Sequence, residues 1–371
     1  MSTPLLKSDK AFLVYFLLVL IFGLIFLTSA SSVVGFDKFH DTYFFVKHQL
    51  LFGVIPGLLG LLFFSKLDYQ KLRAWSPTLF IGALVLLIFV FIPGIGSALN
   101  TGNRSWIVLG GFSFQPAEFA KLALIIYFSA FLAKMGTQIK DFKEGFLIAL
   151  GIAMIPVVFI MLQPDIGTMS ILCFIIFGLL FIANAKMSHM SLLTLAAVAG
   201  FIILIWIAPY RLARFTTFLH PELDPQGIGY HINQSFIAVG SGGFFGAGLG
   251  QSRQKYQYLP EVQADSIFAV IAEEMGFVLT VGFLVLFLLF IQRGLKIAKR
   301  SDDVFARFVV TGIMIWFISQ AFLNIAAMVG LMPLTGVPLP FVSHGGTALA
   351  ICMCAVGIVL NVSKHSKMDT V

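Results

Sequence analysis

Charge is what this sequence has least of. Lys, Arg, Asp and Glu make up 11% of its 371 residues, against about 25% in an average soluble domain. That shortage excludes a water-soluble fold. Cysteine is scarce too: Cys173, Cys352 and Cys354 all sit in apolar runs. They offer neither a disulfide framework nor a zinc site. Acid is the rarer sign, with 17 acidic against 24 basic residues, for a formal net charge of +7. The excess calls for no nucleic-acid partner, because cytoplasmic loops of membrane proteins carry surplus Lys and Arg. What the chain has instead is hydrocarbon: 59% hydrophobic residues, 41 Phe and a mean hydropathy of +0.97. These values define an all-α, polytopic membrane protein, read as a single integral membrane domain over 1–371.

A helix needs about 20 apolar residues to cross a bilayer. Ten segments qualify: roughly 11–34, 46–65, 76–96, 116–134, 145–162, 166–184, 190–208, 266–291, 306–329 and 344–362. The first apolar run exceeds the about 7–15 residues of a signal-peptide core, so it reads as an uncleaved span. An even number puts both termini on one side. With the termini in the cytoplasm, sixteen of the 24 basic residues fall inside, the bias expected of a membrane protein. Lys38, Lys47, Arg104, Lys121, Arg211, Arg214, Arg253 and Lys255 stay outside. Four of those lie in one long extracytoplasmic loop, about 209–265, between the seventh and eighth spans. A loop of that length in a compact bundle is functional or disordered, and its Gly, Phe and Tyr content argues against disorder.

Within it, "GIGYHINQSFIAVGSGGFFGAGLGQSRQK" (227–255) carries eight glycines between Gly227 and Gly250. It lacks the G-x-x-x-x-G-K-[ST] pattern after a strand that cradles nucleotide phosphates. It reads as a re-entrant or interfacial segment whose glycines permit close backbone packing. Asp265 follows, where the eighth span begins. Two readings stand for it. One is a first-turn acid held by the helix dipole; the other is a general base facing the outer surface. Glu273 and Glu274 lie about two turns further on, roughly 12 Å deeper at 1.5 Å per residue. Burying them in lipid is costly, so they belong in the bundle interior, in a structural polar cluster. Ser343 and His344 are assigned to the same kind of cluster.

Other polar positions stand out against the apolar background. Glu118 and Lys121 in "FQPAEFAKLA" share a helix face, either as a helix-stabilising pair or as part of a larger polar cluster. Asp165 sits in "LQPDIG", the tight turn between the fifth and sixth spans. Arg211 and Arg214 in "PYRLARF" are the external cations nearest a span end. A guanidinium binds phosphate bidentately, so they suit a pyrophosphate headgroup; a solvated loop charge is the alternative.

Five stretches in this order resemble the SEDS family (shape, elongation, division and sporulation), which includes FtsW, RodA and SpoVE. They are "TSAS", "NRSWIVLGGFSFQPAEFAKLA", "LQPDIGT", the run from "GYHINQSF" to "AVIAEEMGF", and "MPLTGVPLPFVSHGGTA". "QKYQYLPEVQADSIFAVIAEEMG" is nearer the FtsW branch than the RodA branch. Two departures occur: Ala264-Asp265-Ser266 stands where T-D-F is common, and Thr347-Ala348 where a small hydroxyl residue is usual. The resemblance implies a peptidoglycan glycosyltransferase of the bacterial cytoplasmic membrane. It would polymerise lipid II at the outer face, in cell division, with a class B penicillin-binding protein as transpeptidase partner. It makes Asp265 the essential acid and matches Arg214, Glu118, Lys121, Asp165 and Glu273 to other functionally important polar positions. Arg214, Arg211, Lys121, Glu118, Asp165 and Lys255 are assigned here as substrate-binding positions.

The chemistry fits that implication. An acceptor hydroxyl must attack the donor anomeric carbon while a lipid pyrophosphate leaves. One carboxylate suffices as general base. Cations, or a divalent metal such as Mg or Mn, would stabilise the leaving group; no ligand set for a metal is legible. A lipid II flippase and a non-catalytic division scaffold are the rivals from other classes, and an elongation role is the rival within this one.

Overall fold

The computed structural model describes residues 8–97, 104–109, 112–207 and 209–366. The ten expected spans are ten helices. Among the described residues nine are long and apolar enough to cross a membrane: Lys10–Phe39, Phe44–Lys66, Tyr69–Phe89, Pro116–Lys140, Phe142–Leu162, Met187–Trp206, Ile267–Arg300, Val304–Met328 and Gly346–His365. The sixth, Ile166–Ile182, has 17 residues, about 26 Å of helix. The seventh helix, continuing to Ile207, is the outlying one, with 6% of its apolar window buried against 78% for the ninth and tenth. The chain is a multi-pass membrane protein.

The scarce aspartates mark where spans start. Asp9, Asp68, Asp141, Asp165 and Asp303 each accept a backbone N–H in the first turn of the first, third, fifth, sixth and ninth helices. A carboxylate there satisfies amides that have no partner within the helix. Phenylalanine fills the middle. Phe290 stacks on Phe12 at 4.9 Å and meets Phe341 edge-on at 5.8 Å, and Phe341 packs on Phe317 at 5.0 Å.

Polar contacts gather the helix ends into two groups. At one, Arg293 Nε donates to Asp9 (2.9 Å to Oδ2), Asp9 N donates to Ser363 Oγ (3.0 Å), and Asn361 Nδ2 donates to Ser65 O (2.9 Å). This joins the start of the first span to the ends of the second, eighth and tenth, as alternating crossings require. At the other, the end of the first span meets the approach to the eighth through Gln257 and Asp37.

Two features depart from the expected outline. A small antiparallel sheet, Gly96–Ser97, Trp106–Leu109 and Phe112–Phe114, lies between the third and fourth spans. The segment before the eighth span is helical in its first half, with Pro209–Leu219 and Ile228–Ser241.

The glycine run after Ser241 packs onto a break in the eighth helix. Gly276 has φ 70° and ψ −178° inside Ile267–Arg300. Broken backbone at membrane depth survives only where protein satisfies it. Here the amides of Ala247 and Gly248 donate to the carbonyls of Glu273 and Glu274 (2.9 and 3.0 Å). In return, the amides of Phe277 and Val278 donate to the carbonyls of Gly243 and Phe244 (2.8 and 3.2 Å). A Cβ on Gly276 would sit 2.1 Å from Gly246 N, and its backbone region is open essentially to glycine alone. Gly276→Ala is therefore expected to cost about 1–3 kcal/mol in backbone strain and to lift the glycine run off the helix. The checks are the melting temperature in detergent and proteolysis within 242–250. Wild-type values for both would refute this account of the break.

Candidate active site

Asp265 differs from the aspartates that cap spans. The residue at the cap of the eighth helix is Ser266, and it makes no side-chain capping bond. Asp265 Oδ1 is buried without a hydrogen-bond partner. Burial pushes its carboxyl up to about 6, and the negative charge of Glu261 adds to the rise. The amides of Asp265 and Ser266 and the Ser266 hydroxyl pull the other way. The result is a carboxylate at neutral pH whose basicity exceeds that of an ordinary aspartate.

The backbone around it is pinned from two spans. Asn324 of the ninth helix is buried, and its Nδ2 donates to Asp265 O (2.7 Å) and Val337 O (2.8 Å). Ser343 Oγ donates to Ala264 O (2.5 Å), and His344 N donates to Gln263 O (2.8 Å). The loop carrying Ser343 and His344 is held in turn by the second helix: Gly345 N donates to Gln49 Oε1 (2.9 Å), and His344 Nε2 lies 3.3 Å from His48 Nδ1. Burial drives His344 down to about 4, with His48 contributing. His231 is likewise pushed down to about 4 by burial, and its Nε2 sits 2.6 Å from Ser266 Oγ. Both rings are neutral at pH 7.

Glu273 and Glu274 are buried and fully engaged. Glu273 accepts from Ser252 Oγ (2.5 Å) and from the amide of Arg253 (2.9 Å). Glu274 accepts from Ser29 Oγ (2.7 Å) and from Lys255 Nζ (2.9 Å). Lys255 Nζ also donates to Gly250 O (2.7 Å). Lys255 thus spends its ammonium on the interior of the protein, and Ser343 and His344 belong to the Asp265 surroundings rather than to this cluster.

Glu118 and Lys121 form a second buried cluster. Lys121 Nζ donates to Glu118 Oε1 (2.7 Å) and Gln320 Oε1 (2.9 Å), and lies 4.9 Å from the centre of the Trp316 ring. Gln320 Nε2 donates to Pro338 O (2.9 Å). Gln320 and Asn324 are one turn apart on the ninth helix, and they hold adjacent carbonyls, Pro338 and Val337. Glu118 and Lys121 are therefore linked to the Asp265 backbone through that loop, without touching it.

The remaining expected positions lie apart. Asp165 commits both oxygens to Thr168, accepting from its N (2.9 Å) and its Oγ1 (2.7 Å). Arg214 is exposed on Pro209–Leu219. Arg211 is on the same helix, and its side chain lies outside the described residues. Among the described residues no three His, Cys, Asp or Glu gather as metal ligands.

Sequence reasoning passed over Ser29, Gln49, His231, Ser252, Gln320 and Asn324. For Gln320 and Asn324 a signal was present. Two amides one turn apart inside an apolar span are costly in lipid unless they find partners.

The chain belongs to the FtsW/RodA/SpoVE family of cell cycle proteins, whose model matches residues 9–368. It is 44% identical over 367 residues to the Stage V sporulation protein E of Bacillus subtilis (strain 168), covering 99% of this chain and 100% of that one. It is 40% identical over 359 residues to the "Probable peptidoglycan glycosyltransferase FtsW" of Geobacter sp. (strain M18), covering 97% of each. Among solved structures it matches a chain described under "Structural coordination of polymerization and crosslinking by a peptidoglycan synthase complex". That match has a TM-score of 0.79 at 26% identity and covers 96% of this chain and 97% of that one. The Thermus thermophilus Rod shape determining protein RodA shares the fold, with a TM-score of 0.72 at 24% identity over 98% of each chain.

Proposed function

We propose that this chain is a peptidoglycan glycosyltransferase that polymerises lipid II, with Asp265 as general base. The observation carrying this reading is the Asp265 carboxyl: half-buried with Oδ1 shut off from solvent, not a helix cap, raised toward neutrality and held on a backbone fixed by Asn324, Ser343 and His344. A base needs a pKa near the working pH and a fixed position. The acceptor 4-hydroxyl oxygen attacks the donor anomeric carbon, and its proton passes to Asp265. The bond from that carbon to the pyrophosphate oxygen breaks, undecaprenyl pyrophosphate leaves with the electron pair, and the carbon inverts. Relatives named as peptidoglycan glycosyltransferases support the activity, and the family's description as a cell cycle protein supports a role in division.

The test is purified protein in liposomes given labelled lipid II. Long glycan products support the reading; lipid transfer between leaflets without polymer would favour a flippase, and neither would favour a scaffold. A class B penicillin-binding protein is the transpeptidase partner, consistent with a structural relative that belongs to a synthase complex coordinating polymerization and crosslinking.

The membrane is the bacterial cytoplasmic membrane, with both termini inside and the Asp265 end outside. Single cysteines replacing Pro225 and Arg300 should then label from opposite sides, and labelling of both from one side would overturn the orientation. Arg214 meets the pyrophosphate, because exposure leaves its guanidinium available for bidentate pairing. Arg214→Ala should raise the lipid II concentration needed for half-maximal rate by about tenfold, for a loss of ~1.4 kcal/mol, at an unchanged melting temperature. Normal polymerisation across the concentration range would remove Arg214 from the site.

A further inference from the structure

The Asp265 end of the molecule carries a groove that the reaction above does not use. Ser32, Phe36 and Asp37 from the end of the first span, Thr42 from the following turn, and Tyr256 and Gln257 from the approach to the eighth span line it. Its volume is about 460 Å³, within the ~300–1,000 Å³ of small-molecule sites.

We propose that this groove holds the growing glycan, a chain of amino-sugar rings, as a subsite separate from the reacting centre. The inference rests on the polymerase reading. Charge is the first support. Among the described residues the lining holds one carboxylate, Asp37, and neither lysine nor arginine. That disfavours a pyrophosphate and suits an uncharged, hydroxylated ligand. Phe36 and Tyr256 are each 58% exposed, two aromatic faces able to cover the apolar faces of pyranose rings. Beside them stand hydroxyls and a carboxylate–amide pair, with Gln257 Nε2 donating to Asp37 Oδ2 at 2.7 Å. Such a pair presents acceptors and donors side by side, as neighbouring sugar hydroxyls require.

Backbone conformation separates this groove from a simple interfacial aromatic anchor. Gln257 has φ 65°, a left-handed conformation that persists in a non-glycine residue only where its surroundings impose it. That conformation sets the amide against Asp37. On one side the tip is fixed by buried Lys255 in the Glu274 network, and on the other by buried Leu259 and Val262. An aromatic anchor in lipid headgroups needs neither the strained residue nor the amide–carboxylate bond. A rigid exposed tip lowers the ordering cost of binding. The same loop continues to Asp265, so the strand-holding groove and the base ride on one anchored segment.

Tyr256→Ala and Gln257→Gly test this without threatening the fold. Tyr256 is exposed, and glycine keeps the left-handed backbone at position 257 while removing the amide. With labelled lipid II, products are compared by length at equal lipid consumed. Both variants should release strands sooner, giving chains about fivefold shorter, for a release barrier lowered by ~1 kcal/mol. Chains of wild-type length would overturn the proposal. A second measurement needs no catalysis: saturation transfer from the protein in nanodiscs to a β-1,4-linked N-acetylglucosamine tetramer. Transfer should occur with wild type and with Asp265→Asn, and disappear with Tyr256→Ala. Absence of transfer in wild type, or its persistence in Tyr256→Ala, would refute the groove. If wild type makes no polymer, the polymerase reading fails on its own, and the tetramer measurement still decides whether the groove binds sugar.

Discussion

Asp265→Asn is expected to abolish glycan polymerisation in a protein that folds, inserts and melts as wild type does. Asn is nearly isosteric with Asp but cannot accept a proton at the working pH. A positioned base contributes about 10²–10⁴-fold in rate, so the loss should be at least ~100-fold. Stability should change little, because Asp265 Oδ1 has no partner, the Asn side-chain oxygen can keep the Ser266 contacts, and the residue does not cap the helix. Asn also caps helices about as well as Asp, so a capping role predicts normal activity. Asp265→Glu keeps the charge and moves it by one methylene; a misplacement of that size costs ~100-fold. Initial rates on labelled lipid II, read beside melting curves, separate the outcomes. Long glycan chains from Asp265→Asn would remove this residue as the base.

Glu274→Ala is expected to damage stability rather than chemistry. Lys255 and Glu274 are paired at 2.9 Å, with side chains 3% and 0% exposed. Removing one partner of a buried pair strands the other and costs about 3–5 kcal/mol. The double variant Lys255→Met with Glu274→Gln removes both charges and should recover much of that loss. A double-mutant cycle of melting free energies isolates the coupling. If Lys255 served substrate instead, Lys255→Met would weaken lipid II use and leave the melt unchanged. A wild-type melt for Glu274→Ala would contradict the structural role of the pair.

The spans were legible because hydropathy and length state the constraint directly: a chain this apolar must satisfy its backbone within helices. Even the short sixth helix is marked, by the "LQPDIG" turn before it. The small sheet within 96–114 was not legible, since its strands are two to four residues long and lie between strong helical signals. In the site, Asp265 stood out as an acid at a span entrance, but sequence alone left capping and catalysis open. What separates it from Asp9 or Asp165 is the absence of a capping bond, which depends on tertiary placement. The glycines of 240–250 predicted close packing; that they pack on a helix break at Gly276 follows only from two segments meeting. Lys255 looked like an available cation because its partners, Ser29 and Glu274, lie 226 and 19 residues away.

The most direct measurement of the central claim is the pH dependence of the initial polymerisation rate. A base works deprotonated, so the rate should fall as pH drops through the Asp265 pKa, with a midpoint near 6. Glu261 helps to raise that pKa, so Glu261→Gln should move the midpoint to lower pH. A rate that stays level from about pH 8 to well below 6, in a protein that remains folded, would contradict Asp265 as the base.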